Sequence, residues 1–373
     1  MCRIGALLAV LALSFVTFLG GASTAQADSA PEGQPVAFSL PASLDLHDGT
    51  VQKFNGTYYA YGTAYACGFH WQVANTPWCG FKVSTAPSLL GPWSTPQLLF
   101  GPNDIDPYTG QTWQVECGGT GAGCFNARMI QRSGWGAGDG AWILWFNSPA
   151  DFNRDRSNAY NAMGCNGPAG PCGPTAGAPN GSYTKPSLKF CTGNGDMGFI
   201  DSVTPGAAPA LVCTMPGALS LSIEELNAAG VGGSGSGGVT VAGLKNIESP
   251  GGWYDRASGQ YFLTYSDPGC GYCTGTGTGY ATTTNLYGTW VAPPNLGFGQ
   301  PANGRRLISA NSCGGQSRTV SVVDGQAWQG IDLWTGDRNQ TGARMMFVPL
   351  NSSPASGTPG DGQVWRPPLA LAC

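Results

Sequence analysis

Four stretches alternate aromatic or aliphatic residues with small or polar ones: GTYYAYGTAY at 56–65, AWILWFN at 141–147, GQYFLTYS at 259–266 and AWQGIDLW at 327–334. A period of two sends successive side chains to opposite faces, so each stretch predicts a strand with one face in a core. The polar turns FNG and ASG, just before two of these runs, predict tight hairpins. A second unit, a strand followed by a Pro/Gly-Trp turn, occurs as FKVSTAPSLLGPWSTP at 81–96 and GYATTTNLYGTWVAP at 279–293, with a weaker echo in SYTKPSLKF at 182–190. Recurrence of one supersecondary unit, with almost no helix-period segments, predicts an all-β chain built as a β-propeller. A pair of β-sandwiches is the alternative.

Two segments interrupt the pattern. Residues 148–181 are rich in Gly, Asn and Pro and predict a long loop. SIEELNAAG at 222–230 predicts a helical turn, and the Gly/Ser run that follows, through 238, predicts an insertion loop. Strands of one kind lie on both sides of that run, so it is read as internal to a single domain.

The N-terminus changes the picture. Arg3, an apolar run from Ile4 to Leu19 and the small-residue site Ala25-Gln26-Ala27 predict a secretory signal peptide at 1–27. The 346 residues that remain of 373, at 28–373, suit five blades at roughly 40 to 70 residues each. Of the 13 cysteines, Cys2 lies in the leader, which leaves twelve, an even number fit for up to six disulfides in an exported protein. Cys67/Cys79, Cys117/Cys124 and Cys165/Cys172 are close enough in sequence to staple loops. Cys270-Gly-Tyr-Cys273 lacks a second CxxC, so a local disulfide fits it better than zinc. Only 10% of residues are charged and the net charge is −4. No basic stripe exists to hold nucleic acid, and no second apolar run approaches a membrane span. A monomer is expected.

Scarce acids make their placement informative. Glu248, in NIESPGGWY, sits among apolar and aromatic neighbours, where a raised pKa would suit a general acid. A carboxylate that merely caps a turn is the other reading. Asp48, in LDLHDGTVQKF, opens the first blade, where strand ends face the axis; an Asx-turn before Gly49 is its alternative. Two carboxyl groups in unlike settings are what glycosidic cleavage requires.

Residues 44–63, 81–95, 246–266 and 279–292 resemble glycoside hydrolase family 43 and its five-bladed propeller relatives. His47-Asp48 matches the family's HDP-like opening, which supplies the catalytic base. Ile247-Glu248-Ser249-Pro250 matches the motif that supplies the general acid. SCGGQSRTVSVVDGQAWQGIDLW at 312–334 is similar to the last blade of the exo-β-1,3-galactanase-like branch, in which a glutamine, here Gln316, replaces an axial histidine and helps to position the attacking water. The resemblance implies an inverting glycosidase acting on galactan, arabinan or xylan side chains, with no redox cofactor. A structural calcium occurs near the axis in relatives, and the glutamine weakens that expectation. Two departures stand out. The family's third acid is expected in the second blade, where this chain has Asn126 or Ala127, with Glu116 or Asp139 as substitutes. The galactanase-like branch usually lacks the base that Asp48 provides here. His47, Trp71, Trp78, Asn126, Arg128, Trp253 and Arg318 are the candidate sugar-binding residues, with Trp113 and Trp135 as further aromatic faces. A non-catalytic carbohydrate-binding propeller is the rival function.

Overall fold

The computed structural model describes residues 35–131, 142–149, 160–173, 183–193, 195–204, 206–293, 306–352 and 369–373. The expected leader, Trp135 and Asp139 lie outside them.

After β1 (Phe38–Ser39), the chain runs through successive antiparallel meanders. The first holds β2 (His47–Phe54), β3 (Thr57–Thr63), β4 (Phe81–Ala86) and β5 (Gln97–Phe100). The second holds β6 (Phe125–Gln131), β7 (Trp142–Asn147), β8 (Tyr160–Cys165) and β9 (Tyr183–Thr184). The third is β10 (Met197–Ile200), β11 (Ala210–Met215), β12 (Ser220–Leu226) and β13 (Gly233–Thr240), and the fourth is β14 (Glu248–Asp255), β15 (Gln260–Asp267), β16 (Gly277–Thr283) and β17 (Leu307–Ser309). The last comprises β18 (Gln316–Val323), β19 (Gln326–Leu333) and β20 (Arg344–Ser352), with β21 (Leu369–Leu371) also paired to β20. Its outer neighbour is β1, so the fifth sheet joins the beginning of the described chain to its end.

The first strands touch in a closed cycle: β2 meets β6, then β10, β14, β18 and β2 again. This is a five-bladed β-propeller. Apolar side chains fill each gap between blades. Phe81, Phe100 and Phe146 lie between the first and second, and Trp145 and Leu211 between the second and third. Ile223 and Leu263 fill the next gap, Trp253 and Val320 the one after, and Phe38, Trp328 and Val51 close the ring. A strand buried on both faces wedges each blade against two neighbours.

Two expectations change. The helical turn expected at 222–230 is instead strand β12. Leu221 and Ile223 enter the core between the third and fourth blades, while Glu224 on the opposite face is fully buried. Its carboxylate accepts backbone N–H bonds from Lys189 at 3.0 Å, from Phe190, and from Cys191 at 2.9 Å. The Glu-Glu-Leu sequence has helix propensity, but a period-two burial pattern and these bonds override it. Most of the Gly/Ser run expected as an insertion loop forms the outer strand β13, paired to β12. The long loop at 148–181 contains β8, the third strand of the second blade.

The twelve cysteines beyond the expected leader form six disulfides: 67–79, 117–124, 165–172, 191–213, 270–273 and 313–373. Titration of the denatured, unreduced protein with a thiol reagent should therefore detect no thiol besides Cys2. Two or more reactive thiols per chain would contradict this pairing.

Candidate active site

Three of the five innermost strands begin with the same irregularity. Across β2, β6 and β14, the segments His47–Thr50, Phe125–Arg128 and Glu248–Gly251 carry one extra residue against their partner strands. The second residue of each bulge is left-handed: Asp48 with φ 45°, Asn126 with φ 61° and Ser249 with φ 57°. A bulge re-aims the side chains around it, and Asp and Asn are among the few residues that tolerate that conformation. Close packing makes glycine necessary next to two of them. A Cβ on Gly49 would collide with the Tyr61 carbonyl oxygen, and one on Gly251 with the Val320 backbone nitrogen.

These strand ends border a cavity of about 160 Å³, lined by Asp48, Asp196, Glu248, Gln316 and Arg318, with Trp71 and Trp334 among its aromatic walls. Asp48 is almost fully buried. Its carboxylate accepts bonds from Thr63 Oγ1 at 2.8 and 2.9 Å and from the Asn126 backbone N–H at 3.2 Å. Its own N–H donates to Asp332 Oδ2 at 2.8 Å, and Arg128 donates to its backbone carbonyl. Burial pushes the Asp48 carboxyl up to about 6, although Arg318 and Arg128 oppose the rise.

Glu248 enters from the fourth blade. Oε1 accepts the Cys270 backbone N–H at 2.8 Å and Gln316 Nε2 at 2.6 Å. Burial pushes its carboxyl up to about 7, and the negative charge of Asp196 adds to the rise while Arg318 opposes it.

Asp196 immediately precedes β10 and was missed in the sequence. It accepts bonds from Arg318 Nη1 at 2.8 Å, Asn126 Nδ2 at 2.8 Å and the Ser249 hydroxyl. Burial pushes its carboxyl up, but the Arg318 charge and these hydrogen bonds outweigh burial and hold it below the ordinary carboxylate value. A third carboxyl group thus lines the cavity from just ahead of the third blade. Glu116 is buried in the turn at Gln114–Gly118, where it accepts from Thr109. A usable signal existed: Asp196 stands directly before a short strand, MGFI, as Asp48 stands at the opening of its blade.

The other expected residues divide. Trp71 and Arg318 line the cavity with Asp48, Glu248 and Gln316. His47 is buried behind Asp48, its ring stacked on Tyr65 with centroids 5.0 Å apart. Asn126 and Arg128 are buried beneath the floor, where Arg128 Nε reaches the Met197 carbonyl at 3.2 Å and Nη2 reaches Asn126 Oδ1 at 3.1 Å. Trp78, Trp113 and Trp253 do not reach the cavity; they fill cores between blades, where large apolar rings are needed most. Trp334, Tyr65 and Tyr272 take wall positions not anticipated for them. Among the described residues no cluster of three or more His, Cys, Asp or Glu could hold a metal ion.

No family model and no curated protein matches the chain in sequence. Solved structures match it in shape. An exo-β-1,3-galactanase from Phanerochaete chrysosporium with galactose is 15% identical, with a TM-score of 0.59 over 84% of this chain and 64% of that one. This chain thus spans less than two thirds of that enzyme's length. A GH43 β-1,3-galactosidase with galactodeoxynojirimycin is also 15% identical at a TM-score of 0.59, over 83% of this chain and 92% of that one. A β-xylosidase is 13% identical, with a TM-score of 0.55 over 85% and 96%. At such identities the likeness is one of fold: the propeller seen here is the arrangement of the GH43 glycosidase structures.

The Asp196 charge has a measurable consequence. Asp196→Asn removes a negative charge that opposes ionisation of Glu248 and leaves Arg318 to act on Glu248 more strongly. The Glu248 pKa should fall, as read from the pH dependence of its carboxyl ¹³C shift. An unchanged titration would exclude the coupling.

Proposed function

We propose that the protein is a secreted glycoside hydrolase that cleaves neutral polysaccharide side chains with inversion. One observation carries the reading: two buried carboxyl groups from different blades, each pushed above its ordinary value, line one cavity. The ionised Asp48 takes a proton from water as its oxygen attacks the anomeric carbon. The bond to the leaving oxygen breaks, and that oxygen receives the proton of Glu248. Burial, with the charge of Asp196 added to it, favours the protonated form of Glu248, and Arg318 keeps Asp196 ionised. Trp71, set edge-on to Tyr272 with centroids 5.3 Å apart, offers the ring face for a sugar.

Among galactan, arabinan and xylan, we take β-linked galactose as the substrate, a choice supported by fold neighbours that hold galactose or galactodeoxynojirimycin. A compact cavity of about 160 Å³ suits one sugar ring better than a run of them, which favours cleavage at chain ends. Six disulfides agree with an oxidising compartment, and no described helix is long and apolar enough to cross a membrane. The non-catalytic alternative drew on a missing third acid; Asp196 at the cavity, bonded to Arg318 and Asn126, supports the catalytic reading instead.

Chromogenic β-galactoside, β-xyloside and α-arabinofuranoside, beside polymeric galactan and arabinan, test the activity. Glu248→Gln should abolish turnover of substrates with poor leaving groups and spare activated aryl glycosides, which need little protonation. Asp48→Asn should impair both. If neither substitution alters hydrolysis, the assignment fails.

Catalysis requires Asp48 ionised and Glu248 protonated. With Asp48 pushed up to about 6 and Glu248 to about 7, kcat/KM should trace a narrow bell. Its acid limb reports Asp48 and its alkaline limb Glu248. A plateau extending above pH 9 would be inconsistent with Glu248 as the acid.

A further inference from the structure

Gln316 is almost fully buried, and its hydrogen bonds allow its amide one orientation. Trp334 Nε1 donates to Gln316 Oε1 at 2.6 Å. An indole N–H can only donate, so the amide oxygen must face the tryptophan. The amide nitrogen then faces the opposite side, where it donates to Glu248 Oε1 at 2.6 Å and to the Cys270 carbonyl at 2.8 Å. Both amide hydrogens are used. Rotating the amide would set its N–H groups against the indole N–H and its oxygen against Cys270 O.

This chain of donors also decides where Glu248 keeps its proton. Oε1 accepts two N–H bonds, from Gln316 and from the Cys270 backbone. A hydrogen on Oε1 would oppose both, so the neutral acid carries it on Oε2. A freely rotating carboxyl would spend part of its time with the proton turned away from the leaving oxygen.

We propose that Gln316 is a positioning residue for the general acid rather than for water, and that Trp334 sets its amide so that Glu248 presents its proton on Oε2. The inference rests on reading Glu248 as the acid. With both amide hydrogens committed, Gln316 can meet an attacking water only through the second lone pair of an oxygen already held by Trp334.

Two roles for Gln316 predict different kinetics. Water must attack whatever the leaving group, so a residue that holds water matters equally for all substrates. A residue that holds the acid matters only where the leaving oxygen needs a proton. The test uses Gln316→Leu, which removes the donor, and the milder Trp334→Phe, which keeps an aromatic body but frees the amide to turn. Each full-length variant is assayed on aryl β-galactosides with good and poor leaving groups, and the Glu248 carboxyl is titrated by ¹³C NMR.

Both variants should lose about tenfold or more on the poor leaving group, the scale of a lost hydrogen bond to a charged group. Any loss on the good one, including what the altered cavity wall costs binding, should be clearly smaller. The Glu248 pKa and the alkaline limb should both rise, because an N–H donor favours the carboxylate it bonds. Equal losses on both substrates, or an unshifted titration, would overturn the proposal. Should Gln316→Leu not fold, Trp334→Phe decides alone. A wild type inactive on every glycoside, with the titration still shifted in the variants, would sink the enzymatic reading while leaving the hydrogen-bond chain in place.

Discussion

A single guanidinium holds the centre of this propeller together. Arg318, from the fifth blade, donates to Asp196 ahead of the third and to Ser249 in the fourth, and its Nε lies 3.5 Å from Asp332 Oδ2. Asp332 in turn receives the N–H of Asp48 in the first blade. Four carboxyl groups, Asp48, Asp196, Glu248 and Asp332, converge where five blades meet, and burying a charge without a partner costs several kcal/mol. The Asp196, Asp332 and Asp48 charges outweigh the burial of Arg318 and hold it protonated well above its ordinary range. With Arg128 below, it makes the acid cluster tolerable. The same charge divides the acids into unlike states, since it lies on Asp196 directly and only reaches Glu248 more weakly.

The rest of the molecule keeps those groups from relaxing apart. Aromatic and aliphatic side chains fill every gap between blades, so no blade can tilt without opening a core. The three bulges turn that rigidity into direction. Each places a left-handed residue at the mouth of an inner strand, and two of the three residues, Asp48 and Asn126, have side chains that tolerate this backbone.

Much of this was legible in the chain, and for identifiable reasons. Period-two aromatic runs such as YFLTYS exposed the strands, and the repeated Trp turn exposed the blades. Glu248 and Asp48 stood out because acids are scarce. What stayed hidden was long-range. Asp196 sits 122 positions from Arg318, and only the closed ring brings them together. Trp78 and Trp253 looked like sugar platforms, because composition does not reveal which face of a blade a ring occupies. Glu224 looked helical until the backbone N–H groups of residues 189–191 were seen to collect around it.

The pairing of β1 with β20 bears on how such a chain acquires its shape. Phe38 is stacked on Phe347, more than three hundred residues later in the chain. Until β20 emerges from synthesis, the first blade has no neighbour on one side, and the apolar faces of Val51 and Ala60 have nothing to cover them. Four blades can assemble in order as they appear, each from local hairpins. The last step joins the chain's two ends in one sheet, and such non-local contacts form slowly. A chain stalled before that step exposes an uncovered blade and a waiting edge strand, which would make it dependent on a chaperone or liable to trade strands with a second copy.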